Sequence, residues 1–409
     1  MPETRPSSAG PTSAGPTGPL TGVRVLDLTS VVMGPYATQL LGDLGADVIT
    51  VEPAKGETNR AMGPGPSPQF SGVSLNLLRN KRNIAVDFKR SEGRQVLLDI
   101  ASTCDVFVTN LRPGPLARAG LEFRDVASVR PDIVYCQAHG YPSGGPTEND
   151  PAYDDVIQAE TGIADAAARV TGVPALSPTI MADKVCGLTI AYAISAALYR
   201  RAVTGQGEHV EVPMSETVTS FMLVEHGSAA IPRPPLGPAG YPRILTRHRR
   251  PWPTRDGWIM VLPYSKEHYD AIFTETGRSD LLGDRRYATG RNRIENSGFL
   301  YEQVGQMLSE RTTAEWLSMF RALGVPAGAI GSLDDLVEAL PESEHPDVGR
   351  YKLIPPPVRF AGAPQGVHRQ APKIDEHTDE ILLEVGYDQA EVGALRESGV
   401  LGRAASESA

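Results

Sequence analysis

Cysteine is scarce in this sequence: 409 residues contain only Cys104, Cys136 and Cys186, far apart and without a CxxC pair. That argues against a disulfide framework and suits a reducing compartment, so a cytoplasmic location is expected. Basic residues are outnumbered, 39 against 49 acidic ones, for a net charge of −10 at pH 7. A binder of phosphate backbones needs the opposite balance, and nucleic acid is not an expected partner. No apolar run in the sequence approaches the ~20 residues of a membrane span, so no membrane partner is expected either. The eight histidines form no HxxxH, HExxH or His/Cys pairing. Tetrahedral zinc therefore has no ligand set, and no metal is expected. GxSxG and GxxxxGK[ST] are missing as well, which removes the commonest acyl-transfer serine and the phosphate loop.

What is present describes a globular protein of two lobes, with 41% hydrophobic and 22% charged residues. Residues 1–19 are mostly Pro, Gly, Ser, Thr and Ala and read as a flexible tail. From Val23 the pattern alternates. VRVLDL reads as a strand, Tyr36 to Leu44 as a helix stopped by Gly45, and DVITVE (Asp47 to Glu52) as a second strand. NIAVDF (Asn83 to Phe88), a helix from Ser91 to Ser102, DVFVTN (Asp105 to Asn110) and DIVYCQAHG (Asp132 to Gly140) continue it, so a parallel α/β sheet is the economical arrangement. Two helices follow, Tyr153 to Ala167 and Asp183 to Arg201, the second apolar on nearly every face and expected to be buried between layers or at a subunit contact. A proline-rich, basic stretch from Ile231 to Pro253 marks a boundary. The expected division is a large domain over 20–225, a smaller middle α+β domain over 226–335, and a return to the large domain over 336–409, with a last helix from Glu376 to Val385.

Three groups of residues could carry chemistry. Glu52 ends the second strand, where an acidic residue can bind a ribose, but the preceding turn is TSVVMGP rather than GxGxxG. A tightly bound dinucleotide is therefore not expected, and Glu52 reads as a solvated strand-end carboxylate. Lys81, Arg82, Arg112 and Arg118 sit near strand ends, where open sheets bind ligands; they are either neutralisers of a phosphate-bearing group or surface charges. Asp183 opens the apolar helix, where helix amides favour an anionic transition state, although an aspartate there is also an ordinary cap.

Taken in order, PLTGVRVLDLTSVVMGPYATQLLGDLGADVITVE, NKRNIAVDFKRSEGRQVLLDI, DVFVTNLRPGPLARAGL, PAYDDVIQAETG and MADKVCGLTIAYAISAALYRRAVTGQGEHVEVPM resemble the class III CoA-transferases, the CaiB/BaiF-type family. The resemblance spans roughly residues 19 to 400. It implies transfer of CoA from an acyl-CoA donor to a free carboxylic acid, with succinyl-CoA a plausible donor. Covalent intermediates would form on Asp183, first an anhydride and then a thioester, and coenzyme A would enter as substrate with no resident cofactor. By the same correspondence Lys81, Asn110 and Arg118 match CoA contacts, Leu111 stands where an aromatic residue often stacks near adenine, and His139 stands where a relative carries lysine. Tyr141 follows in the HGY motif as a substrate or supporting contact. Tyr153 occupies the place of a histidine base in racemase members. A phenol with a pKa near 10 is a poor base at neutral pH, so transfer is favoured over the alternative, racemisation of a 2-methylacyl-CoA. The implied fold is a Rossmann-like large domain whose parallel sheet is formed by both chain ends, in a homodimer of interlocked subunits. LGPAGYP (Leu236 to Pro242) is the nearest counterpart of the family's gating loop. The basic run Arg247 to Arg250 is a weak sign of a dicarboxylate substrate.

Overall fold

The structure, a computed structural model, describes residues 18–363 and 366–402, so the expected tail lies outside them apart from its last two residues. Six strands form one parallel sheet: β1 (Arg24–Leu28), β2 (Asp47–Glu52), β3 (Lys81–Ala85), β4 (Val106–Thr109), β5 (Val134–Gln137) and β6 (Glu208–Glu211). Their order is β3-β2-β1-β4-β5-β6. The inner strands are covered on both faces and read as mostly apolar stretches, as parallel strands under crossover helices tend to. Leu26 of β1, for example, lies between Ile49 of β2 and Phe107 of β4 and is wholly buried. After β3 the chain crosses to the other side of β1, so the connections diverge between β1 and β4. In a sheet of this order the carboxyl ends of those two strands leave a crevice.

The helix Met33–Asp43 starts three residues before the expected Tyr36, with Pro35 in its first turn, where a missing N–H costs nothing. β3 begins at Lys81 rather than Asn83 and ends at Ala85, in register from Val48↔Lys81 to Glu52↔Ala85. Two cations fit inside a sheet because each finds a carboxylate: Lys81 lies 3.1 Å from Asp27, and Arg82 lies 2.6 Å from Asp47. The expected helix over 153–167 is two, Asp154–Glu160 and Ile163–Thr171, separated at Gly162, whose φ of 93° lies in the left-handed region. Helices Met214–His226 and Gln389–Glu397 were not anticipated.

The chain divides into two compact units. The first comprises 1–157, 179–218 and 340–409, the second 158–178 and 219–339. Residues 158–178 thus join the middle unit, and the later boundary falls before 225. All six strands of the parallel sheet come from the part of the first unit that precedes 219. The C-terminal part contributes a two-stranded antiparallel sheet of its own, Glu342–His345 with Gly349–Lys352, and helices whose Ile381, Leu382 and Val392 enter the same core as Leu26 and Ile49; its contact with the parallel sheet includes an isolated bridge, Val86↔Leu401. The second unit has its own core around Phe273, Tyr287, Trp316 and Phe320 and an antiparallel sheet of Trp252–Pro253, Trp258–Val261 and Ala327–Ala329. Within it the LGPAGYP loop is pinned by Arg169, which donates to the Ala239 carbonyl, and by His226. Arg250 of the basic run stacks its guanidinium 4.4 Å from the centre of the Trp252 ring.

The apolar helix runs from Met181 to Thr204. Contrary to the expectation from sequence, it is long and apolar enough to cross a membrane by length and composition, a test that core helices of globular proteins also pass. One face, with Ala182, Cys186, Ile190 and Ile194, is buried, and the helix packs on Met33–Asp43. Gly187 permits that approach: a Cβ there would stand 2.8 Å from the Met33 carbonyl oxygen. The opposite face is exposed in the single chain, which leaves the subunit-contact alternative for it. Leu188, Tyr192, Tyr199 and Val203 are 52, 67, 74 and 68% exposed.

Candidate active site

At the divergence of β1 and β4 lies a cavity of about 270 Å³, lined by Ser30, Val31, Asn110, His139, Tyr153 and Asp183 among others. Every lining residue belongs to the first unit. The turn after β1 and the turn after β4 are tied together by one side chain. The Asn110 Oδ1 accepts from the Ser30 N–H at 2.9 Å, and its Nδ2 donates to the Ser30 carbonyl at 2.9 Å.

Asp183 stands in the first turn of the Met181–Thr204 helix, behind an Ile180 cap that offers no side-chain acceptor. The residue is 8% exposed. Burial, together with the neighbouring Asp154 charge, pushes its carboxyl up to about 6. Asp154 is buried as well, and its Oδ1 accepts from the Asp183 backbone N–H at 3.0 Å. The two carboxylates are thus placed by opposite devices. Asp154 is anchored on the amide that Asp183 itself supplies, whereas the Asp183 side chain faces the cavity in a partly desolvated state. A carboxylate held this way is a better nucleophile than one in water, because less hydration must be stripped from it during attack.

His139 follows the end of β5 and is 2% exposed, yet neither ring nitrogen has a hydrogen-bond partner among the described residues. The nearest carboxylate, Glu211 on β6, is 3.8 Å from Nε2. Burial lowers the imidazole pKa, opposed by Glu211 and Glu148, so the ring is a neutral group with one donor and one acceptor facing the cavity. A buried polar ring without partners costs stability and points to a ligand that completes it.

Of the residues singled out from the sequence, Asn110, Leu111, Arg112, His139, Tyr153 and Asp183 meet in this cavity. Tyr153 is 67% exposed at its rim. Lys81 and Arg82 do not line it. They open β3, at the amino ends of the strands, and are saturated internally. Lys81 is wholly buried, donating to Asp27, Thr38 and the Pro35 carbonyl at 3.1, 2.7 and 3.0 Å. Arg82 is held by Asp47, Glu380 and Glu384. Arg118 is exposed on the last turn of the helix Pro113–Ala119, and neither it nor Tyr141 lines the cavity. Glu52 is not solvated: it is wholly buried against Arg60 at 2.7 Å. Asp154 was missed, although an acidic doublet directly after Tyr153 was visible in YDD. Ser30, Val31 and Met33 were missed because a turn without the glycine fingerprint carried no signal for ligand contact.

Comparison with known proteins agrees with this arrangement. The model of CoA-transferase family III matches residues 20–378. A curated relative, succinyl-CoA:glutarate CoA-transferase of Mus musculus, is 32% identical over 94% of this chain and 90% of its own. Among solved structures, Rv3272 of Mycobacterium tuberculosis superposes with a TM-score of 0.76 at 29% identity, covering 89% of this chain and 99% of that one. A CaiB/BaiF family protein of Brucella suis superposes with a TM-score of 0.74 at 27% identity, covering 90% and 100%. With its sheet order, its crevice and its family model in agreement over most of its length, the chain belongs to CoA-transferase family III.

Proposed function

We propose that this protein moves CoA from an acyl-CoA donor to a free carboxylic acid, with Asp183 as the covalent nucleophile. The observation that carries the reading is a buried carboxylate with a raised pKa facing the ligand crevice of a parallel sheet. A carboxylate oxygen of Asp183 attacks the thioester carbonyl, the C–S bond breaks, and CoA leaves as thiolate. The thiolate attacks the aspartyl carbonyl of the mixed anhydride, releasing the donor acid and leaving an aspartyl-CoA thioester. The acceptor carboxylate then attacks the aspartyl thioester carbonyl, the C–S bond breaks and CoA thiolate leaves a second mixed anhydride; attack of that thiolate on the acceptor's carbonyl carbon breaks the anhydride C–O bond, giving the new acyl-CoA and restoring the Asp183 carboxylate. No proton is gained or lost overall.

Asn110 and Leu111, at the end of β4, are the assigned CoA contacts, with His139 donating to or accepting from the bound thioester. Arg112 and Arg118 near the entrance meet phosphate groups. Tyr153 serves as a hydrogen-bond donor at the rim. Succinyl-CoA is the proposed donor, in keeping with the name of the mouse relative. Buried, unpaired Cys104, Cys136 and Cys186 are consistent with a reducing, cytoplasmic setting. A homodimer is proposed as well, and the exposed apolar stripe of Leu188, Tyr192, Tyr199 and Val203 supports it: these residues, spaced 4, 7 and 4, share one helix face that a second copy would cover.

The test is CoA exchange between succinyl-CoA and a panel of free acids, with hydroxylamine added during turnover. The expected result is exchange, inactivation, and a hydroxamate on the peptide bearing Asp183. Exchange with no modification there would overturn the nucleophile. In heavy water, deuterium entering the α-position of a 2-methylacyl-CoA as fast as CoA exchanges would instead establish racemisation.

A further inference from the structure

Val31 lines the crevice with a backbone φ of 67°. A β-branched residue avoids that region, so the surrounding structure must hold it there. Ser30, just before it, is fixed through both backbone groups by Asn110. Val31 itself donates its N–H to Glu57 Oε2 at 3.2 Å. Glu57 is fixed in turn, since its own N–H donates to Glu52 Oε2 at 2.8 Å. Glu52 is immobilised at the end of β2 by two donors from Arg60, at 2.8 and 2.7 Å, and by Asn83 Nδ2 at 2.7 Å.

We infer that Glu57 is a positioning residue of the crevice, holding Val31 in its left-handed conformation so that the turn after β1 forms a rigid wall for the bound thioester. The buried Glu52–Arg60 pair is the base on which Glu57 is set. The acidic residue at the end of β2, which in dinucleotide-binding sheets contacts a ribose, here faces inward and acts on the protein's own turn. A glycine-rich turn reaches positive φ without support and carries no side chain. A braced valine reaches it with a side chain at the cavity wall, at the expense of needing the brace.

The inference rests on the crevice being the acyl-CoA site, and the experiment separates the two. CoA affinity by calorimetry, succinyl-CoA exchange kinetics, and backbone hydrogen exchange of residues 29–33 are measured for the wild type, Glu57→Ala, Glu57→Gln, Val31→Gly and Val31→Gly/Glu57→Ala. The expected result is a five- to tenfold weaker CoA affinity and faster hydrogen exchange in Glu57→Ala, with both restored by Glu57→Gln, which keeps an acceptor oxygen. In the Val31→Gly background the affinity loss on removing Glu57 falls below twofold, because glycine holds the conformation unaided. A merely structural role for Glu57 would lower stability equally in both backgrounds and leave the affinity unchanged. Equal affinity losses in the two backgrounds, or wild-type hydrogen exchange in Glu57→Ala, overturn the inference. Wild-type protein that neither binds CoA nor exchanges it refutes the function instead, and hydrogen exchange of 29–33 then decides the role of Glu57 alone.

Discussion

Replacing Asp183 by asparagine removes the attacking oxygen while preserving shape, and it separates two consequences of burial. The fold raises this carboxyl from 3.8 to about 6. Two pKa units correspond to about 3 kcal/mol, at 1.36 kcal/mol per unit, as an upper bound on what the ionised form costs the folded state. The sign follows from linkage. A carboxyl whose folded pKa exceeds its unfolded one favours folding while protonated, below about pH 4, and that contribution is lost as the pH rises through about 6. Asparagine resembles the protonated acid at every pH. The Asp183→Asn protein should therefore match the wild type in thermal midpoint near pH 4 and surpass it near pH 7.5, while CoA transfer falls by about 10³-fold or more. Wild-type transfer itself should rise with pH through about 6, because the carboxylate is the reacting form. Calorimetric scans at the two pH values, with exchange assays on the same samples, make the check. A stability gap independent of pH would show that the carboxylate is not desolvated in the folded chain. A variant less stable than wild type at pH 7.5 would refute the argument outright.

His139→Leu should keep or raise stability, since it removes a buried ring whose nitrogens have no partner among the described residues, a defect of about 1–3 kcal/mol. CoA affinity or transfer should fall about tenfold with the loss of one hydrogen bond to ligand; a destabilised variant with full activity would contradict this. Wild-type protein should sediment as a dimer, and Tyr192→Asp combined with Tyr199→Asp should weaken assembly by placing charge in the exposed apolar stripe. A fully active wild-type monomer would remove the dimer from the proposal.

The strands were legible because both faces of the sheet are covered, so β1, β2 and β4 appear in the sequence as short, mostly apolar stretches rich in β-branched residues. β3 was misplaced for the same reason. Lys81 and Arg82 look like surface charge until Asp27 and Asp47 are brought beside them, and those partners lie 54 and 35 residues away. Local pattern carries no information about pairing at that separation. The helix Gln389–Glu397 was legible in principle, because Asp388 and Glu391 form a reciprocal capping box, a short signal that is easily passed over. Asp183 was found as a helix-opening carboxylate, but only the family resemblance distinguished it from an ordinary cap. Its burial, its raised pKa and the companion Asp154 are products of packing.

The turn TSVVMGP shows where a negative sequence argument reaches its limit. The missing glycine fingerprint argued against a tight pyrophosphate turn, yet the turn still forms the wall of a crevice at the divergence of β1 and β4. Glycine is one way to supply a left-handed residue there, through backbone freedom built into the residue itself. Val31 uses a second way, in which Glu57 and the Asn110 amide hold the neighbouring backbone groups. The second way is invisible in a seven-residue window, because the bracing side chains come from the segment after β2 and the end of β4. The strand order supplies the crevice: β1 and β4 diverge, so their carboxyl ends leave it whichever residues line it. The chemistry then depends on which buried polar groups face that space, and here those are Asp183 and His139.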